Sequence, residues 1–338
     1  MNIIFSMGDC NGIGLEVLVK AIIEYDKLIE SKKQKANGRK LNEENNTFSI
    51  AGNTKTIEDY ISHFKFPAQV KNNSLVIESR ICPIVKCGKY SKVSFGEESK
   101  SAGELATKSI EKALSLTLNG QFDAMVTMPV SKSVLYKAGW KYPGHTEMLA
   151  EGCGVINPLM ILCKDKLRVG LATIHIPVKD VSRSLTKSGI IETGQRFNDS
   201  LKTDFGIKQP KIAVLGLNPH AGENGDIGKE EITKIIPAIN ELNKKGINAF
   251  GPFPADGFFA YGEYKVFDGI LAMYHDQGLI PLKLLTKGSG INFTAGLPIV
   301  RTSPDHGTGF NIAGNGIADF RSTLNAIRLA IRIVKNRI

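Results

Sequence analysis

The chain has 338 residues, 42% hydrophobic and 22% charged, with 43 Lys and Arg against 33 Asp and Glu and a net charge of +10. This composition excludes a disordered or collagenous chain and predicts one large α/β unit or two subdomains. No apolar run approaches the ~20 residues of a membrane span, and the opening MNIIFSMGDCNG lacks the basic and long apolar regions of a signal peptide, so a cytoplasmic protein with no membrane partner is expected.

In chain order, residues 2–6 read as a first strand, MGDCNGIG as a Gly-rich turn, and residues 15–25 as a helix. Strand, turn and helix in this order suit a phosphate-binding turn. The spacing is G-x-x-x-G-x-G, so a classical dinucleotide fingerprint is not supported, and tight turning with close helix packing explains the glycines as well. The Lys-rich stretch from Lys27 to Lys40 reads as a solvated helix end running into a surface loop. Residues 47–52 form a second strand and 54–63 a helix, with His63 on its surface; 65–90 read as irregular with short extended pieces. A long amphipathic helix opens at Ser101, its apolar positions near a 3.6-residue period. Residues 123–128 are a buried strand. Pro143-Gly144 then forces a turn, and Thr146 reads as the cap of a helix from Glu147 to Glu151.

Three apolar runs each deliver a histidine just past their ends: RVGLATI before His175, KIAVLGL before His220, and ILAMY before His275. The chain holds only six histidines. Alone, each is best read as a satisfied structural residue. Three at equivalent strand ends converge in space, because ligands of open α/β sheets bind outside the carboxyl ends of the strands. Three neutral imidazoles with an open position suit zinc or another divalent first-row metal. Glu223, Asp256 and Asp276 bring carboxylates near them. Gly278 and Pro281 are expected to break regular structure after His275. Helices are expected from Lys179, over 190–205, over 229–245 with a kink at Pro237, and over 319–334. Lys283, Asn292 and Arg301 follow across short strands and turns. Each reads singly as a solvated residue, while Lys283 and Arg301 offer charge for phosphate or carboxylate groups.

The positive charge admits nucleic acid but suits phosphorylated small molecules equally; without an aromatic-interleaved basic stripe, no nucleic-acid partner is expected. The five cysteines, at 10, 82, 87, 153 and 163, are expected as reduced structural thiols. The residues thus allow metal-dependent hydrolysis, metal-dependent oxidation of a hydroxy acid, or non-enzymatic binding of a metal or phosphate ligand.

GHTE at 144–147, LNPHAGE at 217–223, YHDQG at 274–278, INFTAGLPIVRTSPDHGT at 291–308 and IAGNGIA at 312–318 strongly resemble the 4-hydroxythreonine-4-phosphate dehydrogenase family, in order and through almost the whole chain. The segment HGTGFNIAGNGIA is also similar to the adenine-nucleotide loop of isopropylmalate and isocitrate dehydrogenases. The resemblance implies a metal (zinc, magnesium or cobalt) on His175, His220 and His275. It implies substrate contacts from His145, Thr146, Lys283, Asn292 and Arg301, and Asp256 and Asp276 beside the metal. Cofactor contacts, to NAD or NADP, fall on Gly296, His306, Gly307, Thr308 and Asn311. It further implies a homodimer whose site draws on both subunits, and an oxidation whose β-keto acid product decarboxylates to 3-amino-2-oxopropyl phosphate on the way to pyridoxal 5′-phosphate. Lys283, Asp256 or Asp276 would take the hydroxyl proton. A relative acting on another phosphorylated hydroxy acid is the alternative. The expected fold is a three-layer α/β/α of the isopropylmalate dehydrogenase type, with two subdomains, 1–130 plus 280–338 and 131–279, around a cleft. Two departures stand out. Relatives carry GDPAGIGPE where this chain has GDCNGIGLE, losing both prolines, and residues 31–46 look like a surface insertion.

Overall fold

Short apolar runs punctuated by Gly, Asn and Asp become the strands, and runs of 3.6-residue period between them become the helices that cover those strands. The computed structural model describes residues 1–35, 46–142 and 144–338, so 36–45 of the expected insertion lie outside the described residues. The strands are β1 (Asn2–Ser6), β2 (Thr47–Gly52), β3 (Ala68–Lys71), β4 (Ser74–Ile77), β5 (Arg80–Lys86), β6 (Ala124–Thr127), β7 (Leu159–Lys164), β8 (Leu167–Leu171), β9 (Lys211–Leu215), β10 (Asn248–Phe253), β11 (Gly269–Ala272), β12 (Ile291–Ala295) and β13 (Val300–Pro304).

The chain packs as two units, Met1–Ile156 with Leu297–Ile331, and Asn157–Gly296 with Arg332–Ile338. Residues 131–156 therefore go with the chain ends, and 280–296 with the middle of the chain.

In the first unit the strand order is β13-β6-β1-β2-β5-β4-β3. The pairs β13–β6, β6–β1, β1–β2 and β2–β5 are parallel. Successive residues of β1 serve opposite faces. Ile4 joins the core under the helix Lys100–Leu118, whereas Phe5 packs on Phe48, which meets Tyr25 of the helix Gly14–Lys35. The sheet is thus the middle of three layers. Residues 68–86 are not irregular: β3, β4 and β5 form an antiparallel meander. Asn72 and Asn73, both left-handed with φ of 50° and 55°, make the two-residue turn that a hairpin's twist requires.

In the second unit the order is β10-β9-β11-β8-β7-β12. β10, β9, β11 and β8 run parallel, and β7 is antiparallel to both its neighbours. Here too adjacent residues face opposite ways. A Cβ at Gly170 would lie 3.4 Å from the ring of Phe197 on the helix Lys187–Thr203, while Val169 abuts Gly278 of the helix His275–Thr286. The three-layer α/β/α expectation is met in each unit.

Several local expectations give way. Gly278 and Pro281 do not break the chain, since His275–Thr286 is one helix. Gly278 is admitted because a Cβ there would approach Val169 to 2.7 Å. Pro281 loses the hydrogen bond its nitrogen cannot donate and its ring crowds the preceding turn, a local cost carried by the helix's packing against β8. Lys283 consequently sits on a helix. Thr146 is not a cap: the helix starts earlier, at His145, behind Gly144, and Thr146 is buried within its first turn. Residues 231–235 form a π-helical turn before the helix Ile236–Lys244.

Candidate active site

The second unit gathers the strand-end histidines. β9, β11 and β8 are immediate parallel neighbours, so His175, His220 and His275 all follow the carboxyl ends of adjacent strands. Side chains stitch these ends together. The Thr173 hydroxyl donates to the Met273 carbonyl at 2.7 Å. Gln277 accepts from the Met273 N–H at 2.7 Å and donates to the Gly216 carbonyl at 2.5 Å.

The rings of His175 and His275 lie 5.7 Å apart, centroid to centroid, tilted by 42°. Two imidazoles on one tetrahedral ion, with bonds of about 2.1 Å, set centroids roughly 5–6 Å apart, so this pair fits a shared metal. Asp276 engages His275 Nδ1 at 2.7 Å. That leaves Nε2 for an ion and a carboxylate behind the ring to fix its tautomer. Among the described residues no three His, Cys, Asp or Glu side chains stand close enough to grip an ion as placed. The fit rests on this pair and on the donor chemistry of the strand ends.

His220 lies on the wall of a cavity of about 540 Å³ within the same unit, together with Asp256, Asp276, Tyr274, Gln277 and Asn218. Asp256 enters from the first turn of the helix Ala255–Ala260. Lys283 and His175 are exposed, and Asn292, on β12, has a buried Oδ1 with no protein partner.

The segment that presents His220 is strained. His220, Ala221, Gly222, Glu223 and Asn224 all have left-handed backbone, with φ from 41° to 84°. For residues other than glycine this costs roughly 1–2 kcal/mol each. Such strain persists only where the surroundings over-determine it. The buried Glu231 supplies that here: its Oε1 accepts from the N–H groups of Leu217 and Asn218 at 2.7 and 2.8 Å, and its Oε2 from Asn218 Nδ2 at 2.9 Å. Glu230 accepts from Ser182 and Asn218, which holds its carboxyl down at about 2.

The first unit carries the other predicted residues. Arg301, on β13, is buried and donates twice to Thr127 Oγ1, at 3.0 and 2.6 Å. Burial lowers its guanidinium to about 10, opposed by Glu147, and it stays cationic at neutral pH. His145 heads the helix His145–Gly152. The residue is half-buried, and its Nε2 is shut from solvent without a protein partner. Burial, then the charges of Arg301 and Lys132, push it down to about 3, so it is neutral under physiological conditions. A neutral imidazole, a buried Arg and a helix N-terminus together suit an anionic group.

The residues expected to meet cofactor are placed as follows. Gly307 and Thr308 belong to the loop that rests on the N-terminal turn. The Ile13 N–H donates to the Thr308 carbonyl at 2.9 Å, and a Cβ on Gly12 would come within 2.7 Å of that oxygen. His306 has a buried Nε2 with no protein partner, Asn311 is exposed, and Gly296, in the second unit, is an exposed turn residue with φ of 83°. The loop's far end is pinned by Glu16, which accepts from Ala318 N–H and Lys20 Nζ, each at 2.7 Å, while Lys20 also donates to the Gly316 carbonyl. Gly12 therefore serves close packing.

The sequence reading passed over Thr127, Glu16, Thr173, Gln277 and Glu231. Gln277, Thr173 and Glu16 lie inside stretches quoted above, and all five look like ordinary strand or helix polarity until the chain folds back. The five cysteines are free thiols; burial raises Cys82 to about 12 and Cys87 to about 11, as expected of structural residues.

Comparison with known proteins gives one consistent picture. Residues 42–330 match the family model described as pyridoxal phosphate biosynthetic protein PdxA. The chain is 42% identical, over 98% of its length and 88% of the relative's, to the 4-hydroxythreonine-4-phosphate dehydrogenase of Bacteroides thetaiotaomicron. The crystal structure of the Klebsiella pneumoniae protein of that name aligns over 98% of this chain and 99% of its own, with TM-score 0.77 and 33% identity. A β-decarboxylating dehydrogenase from Thermococcus kodakarensis, 13% identical with TM-score 0.50 over 99% of this chain and 83% of its own, shares the fold alone. That likeness agrees with the expected dehydrogenase fold.

Proposed function

The chain belongs to the family of the pyridoxal phosphate biosynthetic protein PdxA, whose curated relatives are dehydrogenases, and from this premise we propose that it oxidises 4-phosphohydroxy-L-threonine with NAD or NADP in a divalent-metal-dependent reaction. The product is a β-keto acid that loses carbon dioxide to give 3-amino-2-oxopropyl phosphate. The observation that carries the reading is that His175, His220 and His275 each follow the carboxyl end of one of three adjacent parallel strands, with the His175 and His275 rings 5.7 Å apart. These residues would hold zinc, magnesium or cobalt, which when bound lowers the pKa of a substrate hydroxyl; the nicotinamide accepts the hydride.

The chain's own residues do the rest. Asp276 orients His275. Lys283, Asp256 or Asp276 takes the hydroxyl proton. The neutral His145, Thr146 and the cationic Arg301 hold anionic groups of the substrate, with Lys283 and Asn292 as further contacts. His306, Gly307, Thr308 and Asn311, on the loop braced by Glu16 and Lys20, with Gly296, meet the cofactor. The enzyme works as a cytoplasmic homodimer with both subunits contributing to the site. The exposed Ile280 and Leu284, one turn apart on the helix that His275 heads, support burial against a second copy.

The test follows reduced-nicotinamide absorbance with the phosphorylated hydroxythreonine, NAD or NADP, and cobalt, zinc or magnesium, before and after chelation, beside His220→Ala. Metal-dependent reduction that the variant loses is the expected result. Folded protein that reduces neither cofactor with any metal overturns the substrate assignment and favours another phosphorylated hydroxy acid.

A further inference from the structure

We infer that Glu231 is a positioning residue for His220: its carboxylate holds the left-handed turn that presents this imidazole, and so sets the protein's affinity for a divalent metal. The inference rests on the metal reading above and assigns a residue with no ligand contact of its own.

β9 ends at Leu215, and the Gly216 N–H makes a last bond to the Phe253 carbonyl at 2.8 Å. The next two N–H groups, of Leu217 and Asn218, have no strand to meet. Both turn onto Glu231 Oε1 instead. The Asn218 side chain closes on Oε2. The Ala221 N–H then donates back to the Asn218 carbonyl at 3.1 Å, and the five left-handed residues begin at His220.

Glu231 is only 2% exposed, and its two oxygens accept from these three donors. The glycines around it leave room for nothing else. A Cβ on Gly222 would lie 2.6 Å from Oε2, and one on Gly216 2.9 Å from the Ala221 Cα. A run of left-handed residues has no intrinsic preference to form. With the carboxylate gone, its two backbone donors are orphaned and the turn relaxes towards ordinary backbone, swinging His220 away from the strand ends.

The experiment titrates metal-free protein with Co(II), reading affinity by calorimetry and ligand geometry by the visible Co(II) spectrum, in wild type, Glu231→Ala, Glu231→Asp, His220→Ala and the His220→Ala/Glu231→Ala pair. Circular dichroism and thermal melting check the fold of each. Glu231→Ala, which removes the acceptors, is expected to weaken Co(II) binding about 10- to 100-fold, Glu231→Asp to weaken it by drawing the carboxylate back from its donors by one methylene, and the pair to bind no more weakly than His220→Ala alone. If Glu231→Ala unfolds, Glu231→Asp decides. Wild-type affinity in Glu231→Ala and Glu231→Asp, with binding lost in His220→Ala, overturns the inference and leaves the metal reading intact. Additive losses in the pair overturn it as well. Unchanged affinity in His220→Ala removes the metal reading, and the inference with it.

Discussion

Lys283 stands roughly two turns beyond His275 on one helix, exposed on its surface. In its neutral form the Lys283 amine would accept a proton without belonging to the proposed ligand set. Lys283→Met is therefore expected to lower turnover by about 10²- to 10⁴-fold while Co(II) affinity is retained; unchanged turnover would remove Lys283 as the base. His145 offers a pH test. Its folded-state pKa, about 3, lies below the ordinary histidine value of 6.5. As pH falls below 6.5 the unfolded chain takes up a proton that the folded chain refuses, so stability is lost towards pH 3. His145→Gln should remove that loss, gaining on the order of 1 kcal/mol on wild type between pH 6.5 and 5 in denaturant titrations. Equal pH slopes for the two proteins would show that the ring is not held neutral. At this scale the histidines were legible, because a buried parallel strand must be a short apolar run and its end can be counted. Glu231 was not legible, since a carboxylate in KEEITK looks like any solvated helix charge until tertiary folding brings Leu217 and Asn218 onto it.

The helices and strands show where local pattern suffices. β1, β2 and the helix Lys100–Leu118 follow from apolar period alone. The helix His275–Thr286 does not, because Gly278 and Pro281 are unfavourable locally and are carried by packing against β8. The Asn72-Asn73 turn is a hairpin signal, but each flanking strand has only four residues, too few for a clear alternation. Gln277 binds two neighbouring strand ends through one side chain. Gln277→Ala should cost roughly 1–3 kcal/mol, the penalty for leaving a partly buried donor and acceptor unmatched, and should weaken Co(II) binding. A variant equal to wild type in both measurements would mean the strand ends are held without it.

For the molecule as a whole, the exposed apolar face of the His275–Thr286 helix is where assembly can be tested. Ile280 is 57% exposed and Leu284 72%. Ile280→Glu with Leu284→Glu is expected to yield monomers at micromolar concentration by sedimentation velocity. Dimers of the doubly substituted protein would place the contact elsewhere. The division into layers was readable from the alternation of strands and helices, and the exchange of residues 131–156 and 280–296 between units was not. It depends on which sheet a segment packs against, and no local property encodes that.

The first unit's sheet has its outer strand β13 next to β6, although these strands are separated in sequence by most of the second unit. During synthesis β1 and β2 precede β6, and the free side of β6 then waits until β13 is made. At 5–20 residues per second that wait is roughly 9–35 seconds. Over this interval the nascent chain offers an unpaired parallel edge, the template on which chains aggregate. Slow codons placed through the middle of the message are therefore expected to lower the soluble yield without altering the stability of the finished fold.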